Sequence, residues 1–214
     1  MGLIERQGLY GKYWGNTYDS SKALTMEQMQ VNAKYIYSYL YGQGWTVNAI
    51  AGILGNMQSE SSMNPGRWQS DRVGGETSGH GYSLVQWTPY TKYTNWCSEN
   101  GYSDPSEMDI ALARILYEVE NNIQWGYDSK GNPPPYNFKG FTESEESPYD
   151  LAINFLRYYE RPAEYNQPAR GTQAEYWYEY LTGESPIIPT PESIITKKKF
   201  PWVLMIKNIR KRNI

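Results

Sequence analysis

Apolar side chains recur at helical spacing along most of this chain, and only one short stretch reads as a strand. Met29, Ala33, Ile36 and Leu40 fall three or four residues apart, on one stripe of a helix. Thr25 opens that helix: Gln28 completes a capping box, and Leu24 with Met29 forms a hydrophobic staple. After the Gly42–Gly44 break, Thr46 caps a second helix that ends near Glu60, with Ile50, Ile53, Leu54 and Met57 on one face. Tyr82–Trp87 is the expected strand. Thr88-Pro89 is expected to begin a third helix, since proline suits the first helical position. Asp104–Glu107 begins a longer one, through about Glu120, with Ile110, Ala113, Leu116 and Tyr117 inward. Asn132–Pro135 is a rigid loop. Ser147-Pro148 starts a helix that ends before Pro162, and a last helix runs from about Thr172 to Leu181, stopped by Gly183. The pattern predicts a mostly α, α+β domain of five or six helices around a small β-hairpin element, without internal repeats.

The ends of the chain read differently. Residues 1–24 place Tyr10, Tyr13, Trp14 and Tyr18 among Gly and polar residues with no helical period, a Tyr-rich arm. They lack the apolar run of a secretory signal, and Arg6 stands where myristoylation wants Ser or Thr, so release by another route is expected. The domain proper is 25–183. Residues 184–196 contain Pro186, Pro189 and Pro191 and read as an extended linker. In 197–214 the apolar run Phe200–Ile206 lies between basic clusters. It is far shorter than the ~20 residues that span a bilayer. It is expected to dock on an anionic membrane surface or a partner protein.

Composition narrows the chemistry. Seven of the 20 Lys and Arg residues fall in 197–214, which has no Asp or Glu, so the body is acidic and nucleic acid is not its expected partner. One Cys and one His exclude an internal disulfide and leave too few ligands for a zinc site, so no metal or other cofactor is expected. A Cys97–His80 dyad is the remaining nucleophilic option. Cys97 reads as a small buried helix residue and His80, between two glycines, as a turn residue. The 21 Tyr and 8 Trp suit a carbohydrate cleft, although most such rings belong to a core.

Glu60 stands out because it continues the stripe of Ile53 and Met57 to the end of the second helix. A carboxyl there loses hydration, which favours its protonated form. Cleaving a glycosidic bond needs such an acid, because the sugar oxygen leaves poorly unless protonated. The plainer reading is a helix-end charge paired with Arg67 or Arg72. Asp71 and Glu76, in the loop that follows, are candidates for a second catalytic carboxylate or are merely solvated.

Glu60-Ser61-x-x-Asn64-Pro65, a Gly-rich loop and Gly81-Tyr82-x-Leu84-Val85-Gln86-Trp87 together resemble the lysozyme-like superfamily. In detail they resemble the phage tail lysozyme domain of phages infecting Gram-positive bacteria. More distantly, they are similar to goose-type lysozymes and soluble lytic transglycosylases. The resemblance covers about residues 26–183. It implies a virion protein of the phage tail, with tail proteins as partners, that cuts the β-1,4 glycan strands of peptidoglycan by hydrolysis or transglycosylation. It implies Glu60 as the catalytic acid and Gln86 with Tyr82 along the saccharide cleft. Ser61, Trp87 and His80 are further substrate-binding candidates. Ala152–Pro162 resembles a third family segment, in which Glu160 reads as a structural ion-pair partner. The alternative is a tail component that keeps the fold for a structural or wall-binding role.

Overall fold

The computed structural model describes residues 9–11, 23–69 and 79–183. Among them are seven α-helices: α1 (Met26–Tyr41), α2 (Val47–Ser61), α3 (Thr91–Glu99), α4 (Met108–Glu120), α5 (Phe138–Thr142), α6 (Pro148–Phe155) and α7 (Pro168–Thr182). A π-helical turn, Leu156–Glu160, continues α6. The expected caps form. Thr25 and Gln28 make the capping box of α1, and the Thr46 and Ser147 side chains accept from Ala49 N and Asp150 N. No described helix is long and apolar enough to cross a membrane.

Helix α2 is the axis of the fold, packed against α7, α6 and α1. Every residue from Ala49 to Met57 is buried, so the helix has no solvent face over that span. Glycine inside a helix costs about 1 kcal/mol relative to alanine. Here it permits contact that alanine would block. A Cβ on Gly52 would sit 2.9 Å from Leu151 Cβ, and one on Gly55 would sit 2.4 Å from the Arg170 carbonyl. These close approaches bring α6 and α7, and the charged residues they carry, to the C-terminal end of α2.

Several expectations fail. The β-hairpin is not seen among the described residues. Tyr82–Trp87 is a tight turn whose two ends pair with each other, while Trp68 bridges Tyr82. Ser83 and Gln86 take positive φ of 74° and 49°, which no strand residue adopts. Helix α3 begins at Thr91, after Pro89 rather than with it. In α4 the buried face is Met108, Ala111, Leu112, Arg114, Ile115, Glu118 and Val119, rotated from the predicted one. Met108, Leu112, Ile115 and Val119 form an apolar stripe at helical spacing on that face, and Arg114 and Glu118 share it as a pair 2.9 Å apart. The short helix α5 was not anticipated, and α7 starts four residues earlier than expected, with Pro168 at its first turn.

The core also holds many rings. Trp125, Phe138, Phe141, Phe155 and Tyr159 pack on one another, as do Trp68, Tyr82, Trp87, Tyr93 and Trp96. From the N-terminal arm, Tyr10 and Gly11 lie on the body: Asn32 on α1 exchanges hydrogen bonds with Tyr10, and the Gly11 carbonyl accepts from Gly66 N at 3.0 Å. Residues 1–8 and 12–22 of that arm, the linker 184–196 and the basic tail 197–214 fall outside the described residues.

Candidate active site

Helix α2 stops where its backbone turns left-handed, at Ser62 and Met63 with φ of 53° and 55°. Glu60 is therefore presented from the last turn of a fully packed helix. It is half-buried, and its Oε1 accepts from Arg170 Nη2 at 2.6 Å. Arg170 is placed by α7 and held at its other nitrogens. Nη1 donates to Asn56 Oδ1 at 3.0 Å and Nε to Gln167 Oε1 at 2.9 Å. Asn56 in turn donates to the carbonyls of Gly52 and Ala152, fixing α2, α6 and α7 around one guanidinium.

Beside this cluster lies a cavity of about 470 Å³, with Gln86, Trp87, Lys92, Tyr127, Asp128 and Glu160 in its lining. Three segments wall it, the 83–88 turn, the 124–129 loop and the π-turn, with Lys92 added from α3. Gln86 donates to the Arg67 and Ser83 carbonyls at 3.0 and 2.9 Å, while its Oε1 is buried without a partner among the described residues. Glu118 ties the first wall to the third. It accepts from Trp87 Nε1 at 3.0 Å, Arg114 Nε at 2.9 Å and the Tyr159 hydroxyl at 2.5 Å. Asp128 ties the second to the third, accepting from Arg157 at 2.9 Å. Burial would raise the Asp128 carboxyl, but hydrogen bonds from Asn132, Arg157 and the backbone N–H groups of Asn132 and Lys130 hold it well below the usual range.

Glu160 ends the π-turn. The wider turn lets Arg161 N reach the Leu156 carbonyl at 2.9 Å, and Arg161 then turns left-handed with φ of 51°. Glu160 Oε1 is fully buried and has no hydrogen-bond partner among the described residues. Burial, and next the charge of Glu60, push its carboxyl well above the usual range; Arg170 opposes the shift and Glu118 adds to it.

The anticipated residues thus separate. Gln86 and Trp87 line the cavity. Glu60 is not among its lining residues, but its charge is felt by Glu160, which is. Tyr82 is fully buried between Trp68 and Tyr93, with ring centroids 4.5 and 6.3 Å away, so it supports the wall from behind. Ser61 is buried too, and its hydroxyl pins α2 to the turn through the Leu84 carbonyl at 2.8 Å. His80 is half-buried, and its carbonyl accepts from Tyr90 N. Asp71 and Glu76 lie outside the described residues. Glu160 is not the structural ion-pair partner expected of it. Cys97 is fully buried, and burial pushes its thiol up to about 12, so it offers no thiolate near neutral pH.

Arg170, Glu118 and the cavity role of Glu160 were not foreseen. Glu160 had a signal: like Glu60, it closes an apolar helical stripe, here Ala152, Phe155, Leu156 and Tyr159. Arg170 had none, because a guanidinium in a polar stretch carries no mark of the helix it will meet.

A family model described as phage tail lysozyme matches residues 31–181. The chain is also 53% identical over 167 residues to Morphogenesis protein 1 of Bacillus phage B103. That alignment takes up 78% of this chain and 44% of the relative, so the chain spans less than half the length of that protein.

Proposed function

Since the chain belongs to the phage tail lysozyme family, we propose that it is an active peptidoglycan glycosidase with Glu60 as general acid. It cuts the β-1,4 glycan strands of a Gram-positive wall and opens that wall locally during infection. The observation that carries this reading is Glu60, held by Arg170 at the end of a buried helix, together with a polar cavity whose lining includes Gln86, Asp128 and Glu160. A glycoside hydrolase centre needs one carboxyl that can hold a proton and a second charge facing the cation that develops at C1. The cavity offers the Trp87 and Tyr127 rings and the amides of Gln86 and Gln124 to a sugar. Tyr127, 65% exposed, is a surface on which a sugar face can stack. A Gram-positive target is favoured by the source of the relative, a Bacillus phage. A tail location and tail-protein partners are favoured by the family.

The second reading is a tail component without cleavage activity. It is favoured by the name of the relative, a morphogenesis protein, and by the Arg170 contact that occupies Glu60. Mass spectrometry of the soluble fragments from Bacillus peptidoglycan, digested by wild type and by Glu60→Gln, separates the two. The expected outcome is glycan fragments from wild type and a loss of about 10²-fold or more in the variant. Reducing ends on those fragments mean hydrolysis, and anhydro ends mean transglycosylation. Absence of fragments from folded wild type would overturn the glycosidase reading.

A further inference from the structure

Most basic side chains among the described residues meet a partner inside the fold. Arg114, Lys139, Arg157 and Arg170 pair with carboxylates, and Arg67 donates to the Ser62 hydroxyl. Lys34 and Lys130 lie over tyrosine rings. Lys92 and Arg161 have no such partner among the described residues, and both line the cavity. Local stability explains neither placement. Lys92 lies in the first turn of α3, where a cation opposes the helix dipole, and no side chain caps that end. Arg161 follows the π-turn with φ of 51°, a strained conformation for a residue with a side chain, and such strain gathers at ligand sites. Its guanidinium lies along the 124–129 loop, where a Cβ on Gly126 would sit 3.6 Å from Nη1. The acids of the cavity do not balance these two charges. Asp128 is paired with Arg157 at 2.9 Å, and burial favours the uncharged form of Glu160. A cleft with an excess of one sign concentrates ligands of the other.

A second observation says what else the ligand carries. Gln86 Oε1 and Glu160 Oε1 are buried without a partner among the described residues, and both residues line the same cavity. Gln86 Nε2 is committed to the Arg67 and Ser83 carbonyls, which leaves Oε1 as the free acceptor. Buried oxygens are rarely left so. The cavity therefore suits a ligand that brings hydrogen-bond donors and a negative charge together. A muramyl sugar with its peptide arm does: the acetamido and peptide N–H groups are donors, and the arm ends in carboxylates. An N-acetylglucosamine oligomer has the donors without the charge. A glycerol-phosphate chain has the charge without the N–H groups.

We propose that Lys92 and Arg161 form an anion subsite that holds a carboxylate of the peptide arm, so that the cavity selects peptide-bearing glycan over uncharged glycan. The identity of the ligand rests on the glycosidase reading above. No bond breaks at this subsite; it decides which strand is held beside Glu60.

The test is isothermal titration calorimetry on the full chain carrying Glu60→Gln, so that no ligand is cut. The ligands are a soluble peptidoglycan tetrasaccharide with its peptide arms, an N-acetylglucosamine tetramer and a glycerol-phosphate oligomer. Lys92→Gln and Arg161→Gln should each lower affinity for the peptide-bearing tetrasaccharide about fivefold, and the double variant about 20-fold, because charge-assisted hydrogen bonds are lost. Affinity for the uncharged tetramer should stay within about twofold. Raising salt should shrink the preference of the unsubstituted subsite and leave that of the double variant unmoved. Lys92→Arg, which keeps the charge, should hold most of the affinity. Equal losses on both saccharides, or none, overturn the subsite. Glycerol phosphate bound more tightly than the peptide-bearing tetrasaccharide, with that binding lost in the double variant, overturns the carboxylate as its ligand. Wild type that cuts no glycan overturns the glycosidase reading, and these affinities still report on the subsite by themselves.

Discussion

Glu118 and Glu160 are both glutamates with carboxyl oxygens taken out of water, and the same turn of chain reaches both. Tyr159 donates to Glu118, and the next residue is Glu160. Their surroundings differ. Glu118 meets a guanidinium, an indole N–H and a phenol, so three donors converge on its two oxygens. Burial raises its carboxyl, and these partners work against the shift. Glu160 has a buried oxygen with no donor, and its electrostatic neighbours include two further carboxyls against one arginine. Burial by itself therefore does not mark a functional acid. The number of donors that meet the carboxyl separates the two, and the one left short is the one that faces the cavity.

The comparison breaks most sharply at Glu118. Glu118→Ala leaves the Arg114 charge, the Trp87 N–H and the Tyr159 hydroxyl without their acceptor in the core. Removing one partner of such a buried pair costs about 3–5 kcal/mol. Urea denaturation measures it, and a loss below about 1 kcal/mol would mean that Glu118 is not a structural anchor. A smaller cut is Tyr159→Phe, which removes one donor and keeps the ring stacked on Phe155 at 4.3 Å. A hydrogen bond to a charged group contributes about 1.5–3 kcal/mol, and that is the expected loss. If the variant matches wild type in urea, the phenol contributes nothing to holding the π-turn.

The sequence carried the helices well, because capping boxes and 3.6-residue stripes are local and act whatever the rest of the chain does. Thr25, Thr46 and Ser147 each cap the helix expected of them. It misled where an element depends on contacts far away. The 82–87 segment has the aromatic and branched residues of a strand, but its ends pair with each other, and Ser61 and Gln86 tie it to α2 and Arg67. In α4 two apolar stripes compete, Ile110–Ala113–Tyr117 and Met108–Leu112–Ile115–Val119, and the second is the one that is buried, with Arg114 and Glu118 paired beside it. At the site, Glu60 and Gln86 were visible as motif residues. Arg170 was not, because what recruits it is the close packing of α7 on Gly55.

The smallest effect expected is a gain in stability, and its sign follows from the proton count. The Glu160 carboxyl is raised in the folded chain, so between the usual glutamate range and its own higher value the folded state keeps a proton that the unfolded chain has lost. Stability then falls as pH rises through that window, with a slope set by the difference in bound protons. Glu160→Gln removes that slope, because the amide never ionises and fits the same space. At about pH 4, where the wild-type carboxyl is largely protonated in both states, variant and wild type should unfold at nearly the same urea midpoint. At pH 8 the variant should be the more stable by about 1 kcal/mol, since a tenfold change in proton affinity between the two states is worth roughly that much. The pair of measurements guards against a trivial gain. Better packing of the amide would raise the midpoint at both pH values, while relief of a buried charge raises it only at the higher one. A variant less stable than wild type at pH 8 would mean that the Glu160 carboxylate is satisfied in the fold, as Glu118 is. The contrast between the two glutamates would then fail.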